Sequence, residues 1–211
     1  MKVIHDNLFS QIISIENLFC SWNEFKKGKR KKEDVQEFEL HLEDNLFNLY
    51  EELKSKTYKH SYYTSFFIND PKRRHIHKAT VKDRIVHHAI YRVLYPIFDK
   101  TFIYDSYSCR NEKGTHQAVL RLESFVRCVS RNYSQSCYYL KCDIKKFFNS
   151  IDYNILLELI KKKVNDKETI LLIQNILESF NKPRERERER ERVKTACHLA
   201  TLPRNYLLIF I

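Results

Sequence analysis

The 211-residue chain is 43% hydrophobic and 31% charged, which excludes a disordered polyelectrolyte and suffices for one good core or two small ones. No apolar run reaches the roughly eighteen residues of a membrane span, and the opening MKVIHDNLFSQ carries an early acid where a signal peptide needs an apolar core, so a cytoplasmic protein without a membrane partner is expected. The net charge of +11 and pI near 9.3 suggest a polyanionic partner, nucleic acid before membrane, or else the lysine- and asparagine-rich bias of an AT-rich genome.

In chain order, residues 11–26 place Ile12, Ile15, Phe19, Trp22 and Phe25 at helical spacing. A basic turn, KKGKRKKED, follows around Gly28. Val35, Phe38, Leu42, Leu46, Leu49 and Leu53 then predict a second amphipathic helix with acids opposite. SYYTSFFIND and RRHIHKATV flank an Asp70–Pro71 break and predict a β-hairpin whose turn carries Lys72, Arg73 and Arg74. VKDRIVHHAIYRVLYPIF predicts a helix ended by Pro96, with His87 and His88 read as packing residues rather than ligands. FIYDSYSCRNEKGTH reads as a loop, with Gly114 as hinge and Thr115 as N-cap of a helix to about Arg131. YYLKCD alternates in the manner of a strand ending in Asp143. Two helices follow, the second capped by Asn165 with Ile170, Ile173, Leu177 and Phe180 inside. The six cysteines show no C-x-x-C spacing and read as reduced thiols.

YYLKCDIKKFFNSID is the stretch that carries chemistry. A carboxylate at the end of a buried strand projects from a sheet rim, where a hard cation can sit. Phe148 stands five residues beyond Asp143. A rigid ring beside a bound sugar can exclude a 2′-hydroxyl by sterics. The plainer alternative, which spacing alone leaves open, is an aspartate capping the next turn and a phenylalanine in the core.

LKCDIKKFFNSIDYNIL resembles the first carboxylate motif of reverse transcriptases of the group II intron, retron and diversity-generating retroelement branches. RHIHKATVKDRIVHHAIYRVLYPIF resembles their fingers motif, and FIYDSYSCRNEKGTHQAV the block after it. The resemblance implies an α+β fold: right-hand polymerase fingers and a partial palm behind an N-terminal helical region, with the thumb absent. The expected segments are 1–60, helical; 61–135, fingers; 136–182, partial palm; and 183–211, a charge repeat and tail.

It also implies RNA-directed DNA synthesis by a two-metal mechanism using two Mg2+ ions. In that reading Asp143 is the catalytic metal ligand, and the Ile144 backbone touches the same ion or the triphosphate. Phe148 is the gate that prefers deoxynucleotides. Arg74 clamps the incoming triphosphate with Lys72 as a weaker partner, in keeping with a guanidinium fork on phosphate oxygens. Arg84, Arg110 and Lys113 become backbone contacts to nucleic acid, with ordinary surface charge as the alternative. The implied partners are an RNA template, a DNA or RNA primer and deoxynucleoside triphosphates. The diversity-generating branch adds an accessory protein. Retroelement mutagenesis, phage defence and retrohoming all use such a core.

Two expected motifs do not follow Asp143: the Tyr-x-Asp-Asp hairpin and the Gly-x-x-x-Ser-Gln block before it. Instead RERERERER runs from Arg184 to Arg192. As a helix the run stacks like charges at i,i+4, and as a strand it has no apolar face. It can be written in DNA as an AG dinucleotide repeat, which slips by two bases. Thr195 to Ile211, read two bases later with allowed codons, can encode GLPLGNLTSQLFANIY, which resembles the missing block. A frameshifted, inactive chain is therefore expected. The other classes kept open are a non-catalytic RNA-binding fragment and an inert product of a decayed or phase-variable gene.

Overall fold

The computed structural model describes residues 5–71, 73–144, 147 and 151–181. Its first helices are α1 (Leu8–Ile13) and α2 (Ile15–Phe25). The apolar stripe predicted one helix here, but Ser14 breaks it. The Ser14 backbone leaves the helical region, and its hydroxyl accepts the Asn17 N–H at 3.2 Å, a side-chain cap that satisfies one orphan donor. The second predicted helix is likewise split, at His41, into α3 (Glu33–Leu40) and α4 (Leu42–Lys54). Each half starts with two acids in its first turn, Glu33 and Asp34, then Glu43 and Asp44, which complement the helix dipole. Gly28, at φ +70°, supplies the left-handed residue of the basic turn between α2 and α3.

The hairpin forms as expected. Strands β1 (Thr64–Ile68) and β2 (Arg74–Lys78) pair antiparallel, from Thr64 opposite Lys78 to Ile68 opposite Arg74. Helix α5 (Val81–Asp99) follows and buries Ile85, Val86, Ala89, Ile90 and Leu94. It runs through Pro96 rather than stopping there. The ring removes one i→i−4 bond, and the helix closes within the turn at Asp99.

Helix α6 (Thr115–Val129) starts at its expected cap residue, so that the N-cap falls one residue earlier, on Gly114, with no side chain to do the capping. It buries none of its residues. The strand expected over YYLKCD does not form. Residues 136–144 have no regular structure, and Tyr138, Tyr139 and Leu140 are each close to fully exposed. Alternation makes a segment compatible with a sheet, but its N–H and C=O groups need a neighbouring strand, and no described segment supplies one.

Helices α7 (Tyr153–Lys161) and α8 (Lys167–Asn181) pack on one another. Asp152 caps α7 by accepting the Asn154 and Ile155 N–H groups. Asp166, not Asn165, caps α8 through the Glu168 and Thr169 N–H groups, and its other oxygen accepts the Phe9 N–H at 2.6 Å. Helix α1 is thus fastened to the α7–α8 junction. His5 completes the seam through backbone bonds with Lys163 and Asn165.

One core runs through these elements. Leu18, Trp22, Phe25, Val35, Leu46, Leu49 and Leu53 from the N-terminal helices meet Ile85 and Leu94 of α5 and Ile160 and Ile173 of α7 and α8. Burying each such side chain contributes on the order of 2 kcal/mol. The architecture is a mixed one, helices with a small sheet. Among the described residues no helix is long and apolar enough to cross a membrane, and no disulfide forms. The Arg-Glu run and the tail, including Cys197, lie outside the described residues.

Candidate nucleotide and nucleic-acid site

The hairpin is the element from which Arg74 is presented, and its foot is held by a buried carboxylate. Thr80 and Asp83 open α5 as a reciprocal cap: the Thr80 hydroxyl donates to Asp83 Oδ2 at 2.6 Å and accepts the Asp83 N–H at 3.4 Å. Asp83 also accepts the Tyr58 hydroxyl at 2.8 Å and the Ser61 N–H at 3.2 Å. Its side chain is fully buried. Burial, followed by the Asp83 charge and hydrogen bond, pushes the Tyr58 hydroxyl well above its ordinary pKa, so it remains a donor.

Aromatic rings continue from this foot to the hairpin. His87 stacks on His60 with centroids 5.2 Å apart, and His60 on Tyr63 at 4.8 Å. Tyr63 and His77 both meet Phe180 of α8 edge-on. Further along β2, His75 stacks on Phe67 at 4.5 Å, and the Arg73 guanidinium lies 4.2 Å from the Phe67 ring centroid. Burial, with the His60 charge second, lowers the His87 pKa to about 4, so the imidazole is neutral. A cleft of about 650 Å³ opens between the hairpin and the α7–α8 pair, lined by His75, His77, Asp152, Tyr153 and Phe180 among others.

Arg74 is exposed at the start of β2, and its guanidinium has no hydrogen-bond or ion-pair partner among the described residues. Asp143 and Ile144 are exposed and lie in irregular chain ahead of α7. Asp143 shares no hydrogen bond or ion pair with Arg74. Lys72 and Phe148 lie outside the described residues. No group of three metal-ligating side chains gathers among the described residues, so Asp143 does not by itself fit a two-ion magnesium site.

The three basic residues expected to touch nucleic acid are all engaged within the protein. Arg84 is only 8% exposed; it donates to Asp34 Oδ2 at 2.5 Å and to the Thr80 carbonyl at 3.3 Å. A guanidinium this buried requires a carboxylate partner, and Asp34 provides it. Arg110 donates to the Asp99 carboxylate at 2.7 Å and to the carbonyls of Ile103 and Asp99, fastening the 100–110 loop to the end of α5. Its hydrogen bond holds the Asp99 carboxyl below the usual range, against the smaller effect of burial. Lys113 donates to the Tyr104 carbonyl and lies over the Tyr104 and Tyr107 rings. Sequence reasoning missed Asp34, Asp83 and His60. Only Asp83 left a local signal, the Thr-x-x-Asp spacing ahead of an apolar helix.

The family model described as reverse transcriptase (RNA-dependent DNA polymerase) matches residues 59–200, from the foot of the hairpin onward. This chain belongs to the reverse transcriptase family. The family is one of RNA-dependent DNA polymerases. Two curated relatives of this reverse transcriptase are intron proteins by name. It is 24% identical over 140 residues to the group II intron-encoded protein LtrA of Lactococcus lactis subsp. cremoris, which covers 65% of this chain and 22% of that protein. It is 23% identical over 101 residues to the mitochondrial nuclear intron maturase 1 of Arabidopsis thaliana, covering 48% of this chain and 13% of that protein. The reverse transcriptase match thus spans less than a quarter of either relative's length.

Proposed function

We propose that this chain is the fingers and leading palm portion of a polymerase that copies RNA into DNA. Residues 1–60 form its helical entry, 61–135 the fingers and 136–182 the partial palm. Arg74 donates its guanidinium fork to the triphosphate of the incoming deoxynucleotide, with Lys72 beside it. Phe148 excludes the 2′-hydroxyl. Asp143 contributes one magnesium ligand, with the Ile144 backbone adjacent; the described residues supply no further ligands, so no catalytic step is assigned to them. The observation that carries the reading is the family match over residues 59–200, a span that includes the hairpin, α5 and the Asp143 segment. The open guanidinium of Arg74 at the hairpin rim is in keeping with it.

The Arg-Glu run supports a finer reading: the second carboxylate motif is encoded in the neighbouring frame, and residues 183–211 are the product of a slipped repeat. Primer extension on an RNA template tests both readings. The 211-residue chain is expected to incorporate no deoxynucleotides, and a version whose repeat is changed by one dinucleotide unit is expected to incorporate them. Robust magnesium-dependent synthesis by the 211-residue chain would overturn the slipped-repeat reading. Silence from every frame would overturn the polymerase reading.

A further inference from the structure

Helix α6 is amphipathic, yet it buries none of its residues. Val119, Leu122, Val126 and Val129 recur at steps of three and four, which places them on one stripe, with Phe125 beside it. In a helix built into a globular core such a stripe is covered. Here Val119, Leu122, Phe125 and Val129 are between 43% and 65% exposed. The apolar surface continues past the end of the helix. A turn closed by the Gln135 N–H on the Ser130 carbonyl, at 2.9 Å, leads within three residues to Tyr138, Tyr139 and Leu140, each close to fully exposed.

The size and charge of this surface decide what can cover it. The four half-open side chains of the helix and the three nearly bare ones beyond it expose on the order of 800 Å², as much as one partner gives to a stable protein–protein interface. A monomer rarely leaves so large an apolar patch in water. The charges beside the stripe are already matched: Arg121 donates to Asp105 at 2.9 Å and Arg127 to Glu123 at 2.6 Å. The polar side of α6 therefore lacks the surplus of cations that holds a helix on an anionic lipid surface. Nor does it carry unmatched charge that would repel a copy of itself.

We infer that this surface is the interface of a homodimer, in which α6 of one copy lays its Val119–Val129 stripe on α6 of a second, with residues 138–140 at the margin. Side chains spaced in this way interlock between two helices as in a short coiled coil. A two-fold pair uses the same patch on both copies, so association closes at two and leaves no apolar face for a third. The net charge of +11 on each copy works against the pair. Salt screens that repulsion and does not weaken apolar burial, so the dimer tightens as salt rises. Two copies bridged by a bound polyanion would instead come apart. The interface stands whether or not the chain polymerises.

Sedimentation equilibrium of the 211-residue chain, over a range of protein and sodium chloride concentrations, tests this. A species of twice the 25.6 kDa monomer mass is expected, and its share should grow with added salt. Leu122→Glu and Val129→Glu each put a carboxylate into the stripe and are expected to weaken dimerisation by about tenfold or more. Leu40→Glu, at a more exposed apolar position on α3, should leave it unchanged. Circular dichroism checks that all three variants fold. A chain that stays monomeric at every concentration would overturn the homodimer. Maleimide labelling of Leu122→Cys, read by mass spectrometry of the labelled peptide, then tells what took its place. A shielded thiol in that monomer would mean that residues 183–211 of the same chain cover the stripe, and a reactive one that nothing does. Growth into ever larger species would also overturn it, as would association that weakens with salt or survives both stripe variants undiminished. None of these outcomes depends on primer extension.

Discussion

The Nε2 atoms of His60 and His87 stand 3.2 Å apart beneath the hairpin, so one ring must donate and the other accept. A second proton cannot enter without setting two buried donors against each other. His87 is held at about 4 and His88 at about 3, chiefly by burial. In the unfolded chain both return to about 6.5. Between pH 6.5 and 4 the unfolded state therefore binds protons that the folded state refuses, and stability rises with pH across that window. The melting temperature is expected to be level above about pH 7 and to fall steadily from 6.5 towards 4. His88→Leu should flatten the slope by one group's share. A melting temperature unchanged between pH 7 and 4.5 would show that these imidazoles are not buried in the neutral form.

Asp83 joins the hairpin foot to α5, and its removal leaves three donors facing one another across a dry space. Asp83→Ala is expected to destabilise the fold by about 3 kcal/mol, the cost of orphaning buried donors and losing a helix cap. Urea denaturation followed by circular dichroism measures this. Tyr58→Phe removes one donor together with its share of desolvation and should cost about 1 kcal/mol. A loss for Asp83→Ala no larger than that for Tyr58→Phe would mean that the carboxylate does not organise the site.

Arg110 holds the 100–110 loop through a fork that reaches the Asp99 carboxylate and three carbonyls. Arg110→Lys keeps the charge but cannot span those acceptors. Limited proteolysis is therefore expected to cut the 100–114 region faster in both Arg110→Lys and Arg110→Ala, with little change elsewhere. Wild-type resistance in Arg110→Lys would indicate that charge alone holds the loop.

The parts of this fold that were legible in the sequence are those set by local periodicity. The hairpin was read from two stretches without helical spacing on either side of the Asp70–Pro71 break, and α5 from the helical apolar spacing that starts at Val81. The breaks at Ser14 and His41 were hidden because the apolar stripes of α1–α2 and α3–α4 continue across them, and a stripe reports a face, not its interruptions. Tyr138 to Cys142 alternate as a strand should, yet a strand also depends on a neighbour, which alternation does not encode. The union of Asp34 with Arg84 spans fifty residues and was beyond any local pattern. The partners of Arg110 and Lys113 lie closer, at Asp99 and Tyr104, but no local pattern marked them.

Asp143 separates chemistry from architecture. It is exposed in irregular chain, and no described side chain depends on it for a hydrogen bond or ion pair. Asp143→Ala should therefore leave stability within about 0.5 kcal/mol of the parent, as for an ordinary surface change. In the version whose repeat is changed by one dinucleotide unit the same substitution should abolish magnesium-dependent extension, while oligoribonucleotide binding stays within about twofold, since one exposed acid adds only weak repulsion to phosphates. Phe148→Ala in that protein should retain extension and admit ribonucleotides, read as rising incorporation when ribonucleoside triphosphates compete with deoxynucleotides. If Asp143→Ala lowers RNA binding and extension in parallel, the aspartate acts through folding or nucleic-acid contact. If extension alone is lost, it belongs to the reacting centre.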